Sequence, residues 1–446
     1  MRLILTIKSI VKLSLVLPLI LLFSSTALAQ AQKVVTIGTV TNGDMERMRV
    51  LSSEFEKKNP DIKLEWVELD ENTLRQRLEI DIALRSGKFD LMTIGLYEVP
   101  IWSGNLWLEP MIDLPANYEV NDLFDSLRDG LSYKGNLYAL PFYGESSMTM
   151  YRKDLFDNVG MTMPENPTWD FMYEAASKIH NPSQNVYGAC LRGKAGWGEN
   201  MAFITTVANS FGARWFDMQW EPEFNTPEWR DALSFYVDLL SKYGPPNAFN
   251  NGFSENLALM NKGSCGFWVD ATVAGSFVTD KEQSQVWDKM AFAPAPYKAT
   301  QKGSGWLWAW SLAVPSSSDQ KKAAKRFAAW ATSKEYSRLV EDRYGISAIP
   351  PGTRKSTYAN QKYMSAAPFA AMTLEQMSKA DPEEQSLKPT PYSGVQYVAI
   401  PKFSTFATSV GQVFSKALAG EVPVSDALSQ AQSIVRTEMV RDGFIQ

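Results

Sequence analysis

Residues 34–44, VVTIGTVTNGD, join an apolar run to a turn, and this pairing is the first indication of the fold. The run of Val, Ile and Thr predicts a buried strand, and TNGD is typical of a turn that starts a helix. Residues 62–66 (IKLEW) and 89–95 (FDLMTIG) are also strand-like, and a helical pattern precedes each of them. The order β-α-β-α-β predicts an α/β fold with a parallel sheet flanked by helices.

The alternation of strands and helices resumes after residue 145. Residues 186–191 and 263–270 have strand patterns, and residues 166–180 and 228–242 have helical ones. A chain of 446 residues is also too long for one compact core. We therefore expect a second α/β lobe, with a mostly helical tail at the end of the chain.

The first 29 residues have the pattern of a secretory signal peptide. Basic residues are followed by an apolar run at 13–23 and by the small-residue site Ala27-Leu28-Ala29, where cleavage is expected. The alternative is a membrane anchor, but the apolar run is short for a membrane span. We expect an exported, periplasmic protein.

Several classes of function lack support in the sequence. A net charge of −5 without a basic stripe disfavours nucleic acid as a partner. His180 is the only histidine, and the GxSxG, P-loop and GxGxxG motifs are absent, as are Cys/His clusters. We therefore expect no enzyme activity, no cofactor and no metal, although paired carboxylates such as Glu145 with Glu98 or Asp270 leave a glycoside-active enzyme open.

Cys190 and Cys265 are the only cysteines, and both fall on predicted strands of the second lobe. In an exported protein they can form one disulfide bridge. The alternative is a pair of free thiols, and the sequence leaves the two possibilities open.

Polar residues at the ends of the predicted strands are the first candidates for a ligand site, because open α/β sheets bind ligands beyond the carboxyl ends of their strands. Asn42 and Asp44 follow the first strand, and Tyr97 and Glu98 follow the third. Asp44 can also serve as a helix cap. Glu145 follows a glycine at a strand break, where packing has little use for a carboxylate.

Longer stretches of the chain resemble a known family. The segments that carry the resemblance include TNGDMERM, FDLMTIGLYEVPIW, LYALPFYGESSMTMYRKDLF, CLRGKAGWGENMAF and NGFSENLALMNKGSCGFWVDATVAGS. In this order they resemble the sorbitol/mannitol-binding proteins of bacterial ABC importers, within the maltose-binding-like class of extracellular solute-binding proteins. The polyol subgroup rests mainly on YEVPIW, ESSM and CLRGKAGWGEN.

The resemblance implies a two-lobed clamshell, in which each lobe has a mixed, mainly parallel sheet flanked by helices and the chain crosses the hinge several times. One lobe would hold residues 33–142 and 297–346, and the other residues 143–296 and 347–446. The protein would bind a sugar alcohol or sugar in the cleft and deliver it to the membrane permease. A monomer is expected, and the alternatives are a binder of a mono- or disaccharide and a secreted glycoside-active enzyme.

The resemblance also implies a set of ligand-binding residues: Asn42, Asp44, Tyr97, Glu98, Glu145, Arg192, Trp197, Asp270, Trp306 and Trp308. The alternative role of Asp270 is a helix cap, and that of Arg192 is a salt bridge at a strand end. Met45 departs from the lysine of the maltose-type pattern, which disfavours an oligosaccharide.

The stretch 303–310, GSGWLWAW, supplies three alternating tryptophans, which would share one face of an extended chain. Indole faces stack on the C–H surface of a sugar or polyol. We expect Trp306 or Trp308 to contact the ligand and Trp310 to lie in the core. The alternative is that all three pack beside the hinge.

Overall fold

The structure, a computed structural model, describes residues 32–446. The predicted signal peptide lies outside these residues. Two larger β-sheets and one small hairpin organise the described part of the chain. Its strands are β1 (Lys33–Val40), β2 (Ile62–Leu69), β3 (Leu91–Ile94), β4 (Ser132–Tyr133), β5 (Asn136–Leu137), β6 (Ala139–Glu145), β7 (Ser147–Arg152), β8 (Tyr187–Cys190), β9 (Cys265–Ala271), β10 (Met290–Pro294) and β11 (Trp308–Ala313).

Helices flank both sheets and dominate the end of the chain. They are α1 (Gly43–Lys58), α2 (Glu71–Leu84), α3 (Glu98–Gly104), α4 (Asp125–Gly130), α5 (Lys153–Asn158), α6 (Trp169–Ile179), α7 (Ala202–Ser210), α8 (Pro227–Tyr243), α9 (Phe253–Asn261), α10 (Gly275–Val278), α11 (Lys321–Ala331), α12 (Lys334–Tyr344), α13 (Lys355–Tyr358), α14 (Gln361–Ala366), α15 (Ala370–Lys379), α16 (Phe403–Leu418) and α17 (Val424–Arg441). None of the helices within residues 32–446 is both long and apolar enough to cross a membrane.

The first sheet has the strand order β2-β1-β3-β11-β6. Strand β1 pairs in parallel with β2 and β3, whereas β11 is antiparallel to both β3 and β6. Four strands therefore run in one direction and β11 runs against them. The register places Glu145, the last residue of β6, opposite Trp308, the first residue of β11. The carboxyl end of β6 thus lies beside the tryptophan-rich start of β11.

The second sheet has the order β10-β7-β9-β8. Strands β8 and β9 are parallel, and β7 is antiparallel to its two neighbours. The chain passes from the first sheet to the second through the single residue Ser146, between β6 and β7. It returns between β10 and β11. Cys190 at the end of β8 forms a disulfide with Cys265 at the start of β9, and their Cα atoms are 5.9 Å apart.

Local capping explains where the first helices begin. The Asn42 side chain accepts a hydrogen bond from the Met45 amide, and the Asp70 side chain accepts one from the Thr73 amide. Thr168 caps α6 in the same way. Each cap satisfies an amide that has no partner within its own helix. As a result, α1 and α2 start directly after β1 and β2, at the carboxyl edge of the first sheet.

The predicted elements are present, with two differences. The first is α12, a helix that is not predicted from the sequence and whose first turn Ser333 caps at the Tyr336 amide. The tail contains helices α14 to α17, but residues 380–402 form neither helix nor strand. Aromatic side chains fill much of the core, and Trp169, Trp215, Trp229 and Trp268 are fully buried. Each such residue removes about 150–250 Å² of surface from water.

Candidate ligand-binding site

A cavity of about 270 Å³ lies between the carboxyl edges of the two sheets. The first sheet contributes the ends of β1 and β6, the start of α2 and one tryptophan of β11. The second sheet contributes the segment after β8, the end of β9 and the start of α9. The lining residues are Val40, Thr41, Asn42, Asp70, Glu71, Tyr143, Glu145, Arg192, Lys194, Glu199, Phe253, Ser254, Glu255, Ala271, Val273 and Trp310.

Arg192 is the most strongly held charged group in the cavity wall. Its Nη2 donates to Asp270 Oδ1 at 2.6 Å, and its Nε donates to Asp270 Oδ2 at 2.9 Å. Asp270 also accepts from Trp268 Nε1 at 2.9 Å. Arg192 Nη1 donates to the Gly198 carbonyl at 2.9 Å. This paired geometry fixes the plane of the guanidinium at the cavity wall.

Glu145 lies opposite this cation with no hydrogen bond to its carboxyl group from any residue of the range 32–446. It is buried, and burial raises the pKa of Glu145 well above its usual value. Arg192 opposes this rise, while Asp270, Glu71 and Asp44 add to it. When it is protonated, a carboxyl group can both donate and accept a hydrogen bond.

Glu199 carries a second perturbed carboxyl group. Burial raises the pKa of Glu199 to about 7, against the opposing charges of Arg192 and Lys194. Its Oε2 lies 3.4 Å from Arg192 Nη1, and its Oε1 lies 3.8 Å from Lys194 Nζ. Glu71 is held differently, because it accepts from Arg75 Nη2 at 2.8 Å. The larger cavity is lined by more acidic side chains (Asp70, Glu71, Glu145, Glu199 and Glu255) than basic ones (Arg192 and Lys194). This excess of carboxyl groups disfavours an anionic ligand.

Asn42 and Tyr143 form a neutral polar edge of the cavity. Asn42 Nδ2 donates to the Tyr143 hydroxyl oxygen at 2.9 Å, while Asn42 Oδ1 caps α1. Because Asn42 uses both ends of its amide, its orientation is determined. The Tyr143 hydroxyl then keeps its own proton free for another acceptor.

A smaller cavity of about 40 Å³ adjoins the first. The two share Glu71, Glu145, Arg192 and Trp310 as lining residues. Its wall is rich in aromatic side chains and otherwise contains Arg75, Trp197, Gly198, Ala202, Trp306, Trp308 and Gln396. We call it the side cavity.

The site thus combines a small cavity, acidic and basic hydrogen-bonding groups and a wall of indole rings. Among residues 32–446, His, Cys, Asp and Glu side chains form no cluster suited to a metal ion. Residues 41–337 match the family model described as bacterial extracellular solute-binding protein. The chain belongs to the bacterial extracellular solute-binding proteins.

Individual relatives of this solute-binding protein are also similar over nearly their whole length. It is 57% identical to a mannitol-binding protein of Pseudomonas aeruginosa over 417 residues, which cover 94% of this chain and 95% of the relative. A crystal structure of an ABC transporter solute-binding protein from Agrobacterium vitis with bound D-mannitol is 55% identical. That structure has a TM-score of 0.91 and the match covers 92% of this chain and 99% of the other.

A more distant structure shares the fold. The solute-binding protein of Agrobacterium radiobacter in complex with ribitol has a TM-score of 0.80 at 21% identity, with 92% of this chain and 99% of the other covered. The two-lobed maltose-binding-type architecture expected from the sequence is confirmed by such matches.

The structure divides the predicted site residues of this solute-binding protein into three groups. Asn42, Glu145 and Arg192 line the larger cavity. The side cavity alone is lined by Trp197, Trp306 and Trp308, and it shares Glu145 and Arg192 with the larger cavity. The residues that line neither cavity are Asp44, Tyr97, Glu98 and Asp270.

Asp44 is placed by its helix rather than by a ligand. It is buried in the first turn of α1, and its Oδ1 lies 3.3 Å from Arg47 Nη1. Burial raises the pKa of Asp44 to about 6, while Arg47 acts in the opposite direction. Arg47 thus pairs with one carboxylate oxygen, while the buried Asp44 Oδ2 has no hydrogen-bond partner among residues 32–446.

Tyr97 and Glu98 support the cavity from outside. The Tyr97 hydroxyl donates to the Ile400 carbonyl at 3.0 Å, which ties α3 to the tail of the chain. Glu98 forms an ion pair with Arg75 and accepts from the Gly95 amide at 2.9 Å. Asp270 is fully buried beneath Arg192 and orients it. These carboxylates are occupied by protein donors.

Trp310 is buried in the core, as expected from the sequence, and it is as little exposed as Trp308. It also lines both cavities. Trp308 packs against Trp310 with ring centres 5.7 Å apart and against Trp197 at the same distance. Neighbours from the tail and from the segment after β8 therefore cover Trp308, so that it is Trp310 that borders the larger space.

Several lining residues were not predicted, among them Asp70, Glu71, Tyr143, Lys194, Glu199 and Phe253. A signal for Asp70 and Glu71 is present, because they directly follow the strand pattern of β2 and so stand at the carboxyl edge of a parallel sheet. Glu199 has no such signal. It lies in a π-helical turn, Trp197–Met201, with a non-helical backbone.

Proposed function

We propose that this protein captures an acyclic hexitol, D-mannitol first, in the larger cavity and delivers it to the permease of an ABC importer. The observation that carries the proposal is the cavity of about 270 Å³, whose wall pairs carboxyl groups with a fixed guanidinium. The names of the two relatives that are more than half identical support the choice of mannitol.

The size of the cavity favours one small ligand. Pockets for drug-sized molecules measure about 300–1,000 Å³, and this one falls just below that range. A hexitol has roughly 12 non-hydrogen atoms, and at about 0.7 kcal/mol per atom it would bind with about −8 kcal/mol. The corresponding Kd is about 1 μM. Such an affinity suits nutrient capture without any larger oligosaccharide.

The side chains match the chemistry of a polyol. Arg192 donates to hydroxyl oxygens, and Glu71 and Glu199 accept from hydroxyl protons. Glu145, buried with no protein partner in the described chain, is a further carboxyl group for a ligand hydroxyl. The indole of Trp310 covers the C–H surface of the ligand. Because Glu145, Arg192 and Glu199 are buried, a ligand that lacks one hydroxyl leaves a desolvated partner unsatisfied and binds less tightly.

The site residues of this proposal are Asn42, Tyr143, Glu145, Arg192, Glu199 and Trp310, with Trp197, Trp306 and Trp308 in the side cavity. Asp44, Tyr97, Glu98 and Asp270 act as supports. Residues 1–29 direct export to the periplasm, and the mature chain begins at Gln30. The protein functions as a monomer without enzyme activity. The mass of the secreted protein tests the cleavage point, and light scattering tests the monomer.

The binding test is a titration of the mature protein followed by tryptophan fluorescence and repeated by calorimetry. D-mannitol, D-sorbitol and ribitol are compared with glucose, fructose and maltose. Saturation at micromolar hexitol without a response to the cyclic sugars supports the proposal. A response to a cyclic sugar alone refutes the polyol ligand, and release of product from chromogenic glycosides refutes the absence of catalysis.

A further inference from the structure

Helices α1 and α10 meet beside the larger cavity. Helix α1 follows β1 of the first sheet, and α10 follows β9 of the second sheet. Asn42 directly precedes α1, Val273 lies two residues before α10, and both residues line the larger cavity. The contact between the two helices therefore lies next to the space proposed for the ligand, and it joins the two sides of that space.

Arg47 is the side chain of α1 that reaches α10. Its guanidinium carbon lies 4.8 Å from the centre of the Phe277 ring. Its Nη2 lies 4.0 Å from Asp280 Oδ2, just after the same helix. A guanidinium within about 6 Å of the centre of an aromatic ring is attracted to the face of that ring. Neither Arg47 nor Phe277 lines the larger cavity.

The contact is closely packed and shielded from solvent. Arg47 and Phe277 are both buried. A Cβ atom added to Gly43, the first residue of α1, would lie 2.3 Å from Phe277 Cε1, so the edge of the ring rests against the backbone of α1. Attraction between a cation and a ring is stronger when both are removed from water. Separation of the two helices would expose both side chains and forfeit this attraction.

The remaining neighbours of Arg47 belong to the side of the first sheet. Its Nη1 lies 3.3 Å from Asp44 Oδ1 on the same helix, and its guanidinium carbon lies 5.5 Å from the centre of the Tyr344 ring. Tyr344 ends α12, and Tyr336 of α12 packs against Phe142 of β6 with ring centres 5.6 Å apart. These contacts do not involve α10, so they hold the guanidinium in place before Phe277 arrives. A side chain that is already ordered loses little entropy when the contact forms.

Two-lobed binding proteins enclose their ligands by hinge closure of the lobes. We propose that Arg47 is a positioning residue that holds the closed arrangement through its contact with Phe277 and so slows the release of ligand, although it does not touch the ligand. The proposal rests on the proposed function above, because closure is measured through the bound polyol. A contact that forms only on closure acts on dissociation rather than on the first encounter, and differences in affinity lie mostly in the dissociation rate.

A double-variant cycle measured by stopped-flow tryptophan fluorescence tests this role. The mature protein is mixed with D-mannitol at increasing concentration. The slope of the observed rate gives the association rate constant, and its intercept gives the dissociation rate constant. Arg47→Met removes the guanidinium, Phe277→Leu removes the ring but keeps an apolar side chain, and the third variant combines the two changes.

Two further variants separate the contact from other effects of the substitution. Arg47→Lys keeps a positive charge beside Asp44 but lacks the planar guanidinium that stacks on a ring. Arg49→Met is the matched control on the same helix. Its Nε lies 2.6 Å from Glu68 Oε1 of β2, so its ion pair stays on the side of the first sheet.

We expect Arg47→Met and Phe277→Leu each to raise the dissociation rate constant about fivefold and to change the association rate constant less than about twofold. The double variant should release mannitol about as fast as the faster single variant, because both changes remove the same contact. Arg47→Lys should fall between the unmodified protein and Arg47→Met. Arg49→Met should leave both rate constants unchanged.

If the two single effects multiply in the double variant, the proposal is overturned, because Arg47 then acts independently of Phe277 through its pairing within α1. Unchanged release in both Arg47→Met and Arg47→Lys overturns it as well, and so does equally fast release from Arg49→Met. If the unmodified protein binds no D-mannitol, the proposed function fails, and the role of Arg47 fails with it. Normal binding with unaltered release from the Arg47 variants refutes the role of Arg47 alone.

Discussion

The guanidinium carbon of Arg75 lies 4.0 Å from the centre of the Trp197 ring. Arg75 belongs to α2, which follows a strand of the first sheet, whereas Trp197 follows β8 of the second sheet. Beside this contact, Asn72 Nδ2 donates to the Ala195 carbonyl at 2.9 Å. The two halves of the site are therefore joined by direct protein contacts next to the cavity.

The first prediction concerns Gly198, which packs against α2. A Cβ atom at this position would collide with the Glu71 carboxylate and would lie 3.1 Å from Arg75 Nε. We expect Gly198→Ala to weaken mannitol binding more than tenfold, because the two sheets cannot approach this closely, while the melting temperature stays unchanged. Calorimetric titration and thermal unfolding measure the two effects.

Gly104→Ala is the control for this substitution, since its added methyl would meet Tyr133 only at an ordinary 3.5 Å. It should bind normally. Normal binding by Gly198→Ala as well would mean that the contact with α2 is dispensable for ligand capture.

The second prediction concerns the isolated carboxyl group of Glu145. We expect Glu145→Ala to lower mannitol affinity about 10- to 100-fold, because a ligand hydroxyl loses a desolvated partner worth about 1–3 kcal/mol. Stability should not fall, since Glu145 forms no side-chain hydrogen bond within the described chain. Glu65→Ala, an exposed carboxylate on β2, serves as the control. An unchanged affinity for Glu145→Ala removes this residue from the site.

The third prediction concerns the buried pair of Arg192 and Asp270. We expect Arg192→Met to lower the free energy of unfolding by about 3–5 kcal/mol, because it leaves a fully buried carboxylate without its cation. The double variant Arg192→Met, Asp270→Leu should recover part of this loss. Urea unfolding measures both. The exposed pair of Lys57 and Glu54 provides a contrast, in which Lys57→Met should have no measurable effect.

If the double variant is less stable than Arg192→Met alone, the carboxylate of Asp270 has a stabilising role that does not depend on Arg192. Its bond from Trp268 Nε1 would then be the reason.

The fourth prediction is a dependence of stability on pH. The pKa of Glu199 is about 7 in the folded protein, against an ordinary value of 4.5. The folded state therefore holds this proton more tightly than the unfolded state does, and stability falls as the pH rises from about 4.5 to about 7. The contribution of this group is at most about 3 kcal/mol. Glu199→Gln should flatten this part of the profile.

Urea unfolding at a series of pH values measures both profiles at constant ionic strength. In ligand-free Glu199→Gln, the free energy of unfolding should still fall somewhat as the pH rises, since burial also raises the pKa of Asp44 to about 6. Identical slopes for the two proteins would show that Glu199 does not titrate in this range.

The fold was largely accessible from sequence, and the reason is visible in its first 60 described residues. Strands β1, β2 and β3 and helices α1 and α2 follow from local periodicity, and Asn42 and Asp70 cap the helices with their own side chains. Such signals act within a few residues. Helix α12 was not predicted, although its cap at Ser333 is a local signal of the same kind.

The site was accessible only in part. Glu145 and Asn42 follow predicted strands, so the rule that ligands bind beyond strand ends finds them. Asp270 lies at the end of a strand as well, yet Arg192 covers it. Whether a carboxylate is free or already paired depends on residues that are 78 positions apart in the chain, and no local pattern contains that information.

By itself, the sequence determined the order of strands and helices, the surplus of indoles and the presence of carboxylates at strand ends, because these follow from local propensity and spacing. Only the tertiary structure decided which of them border a common space. Trp308 and Trp310 alternate on one strand, but distant packing around Trp197 covers the first and leaves the second beside the larger cavity. The site is made by long-range contacts, and these are what a local pattern cannot encode.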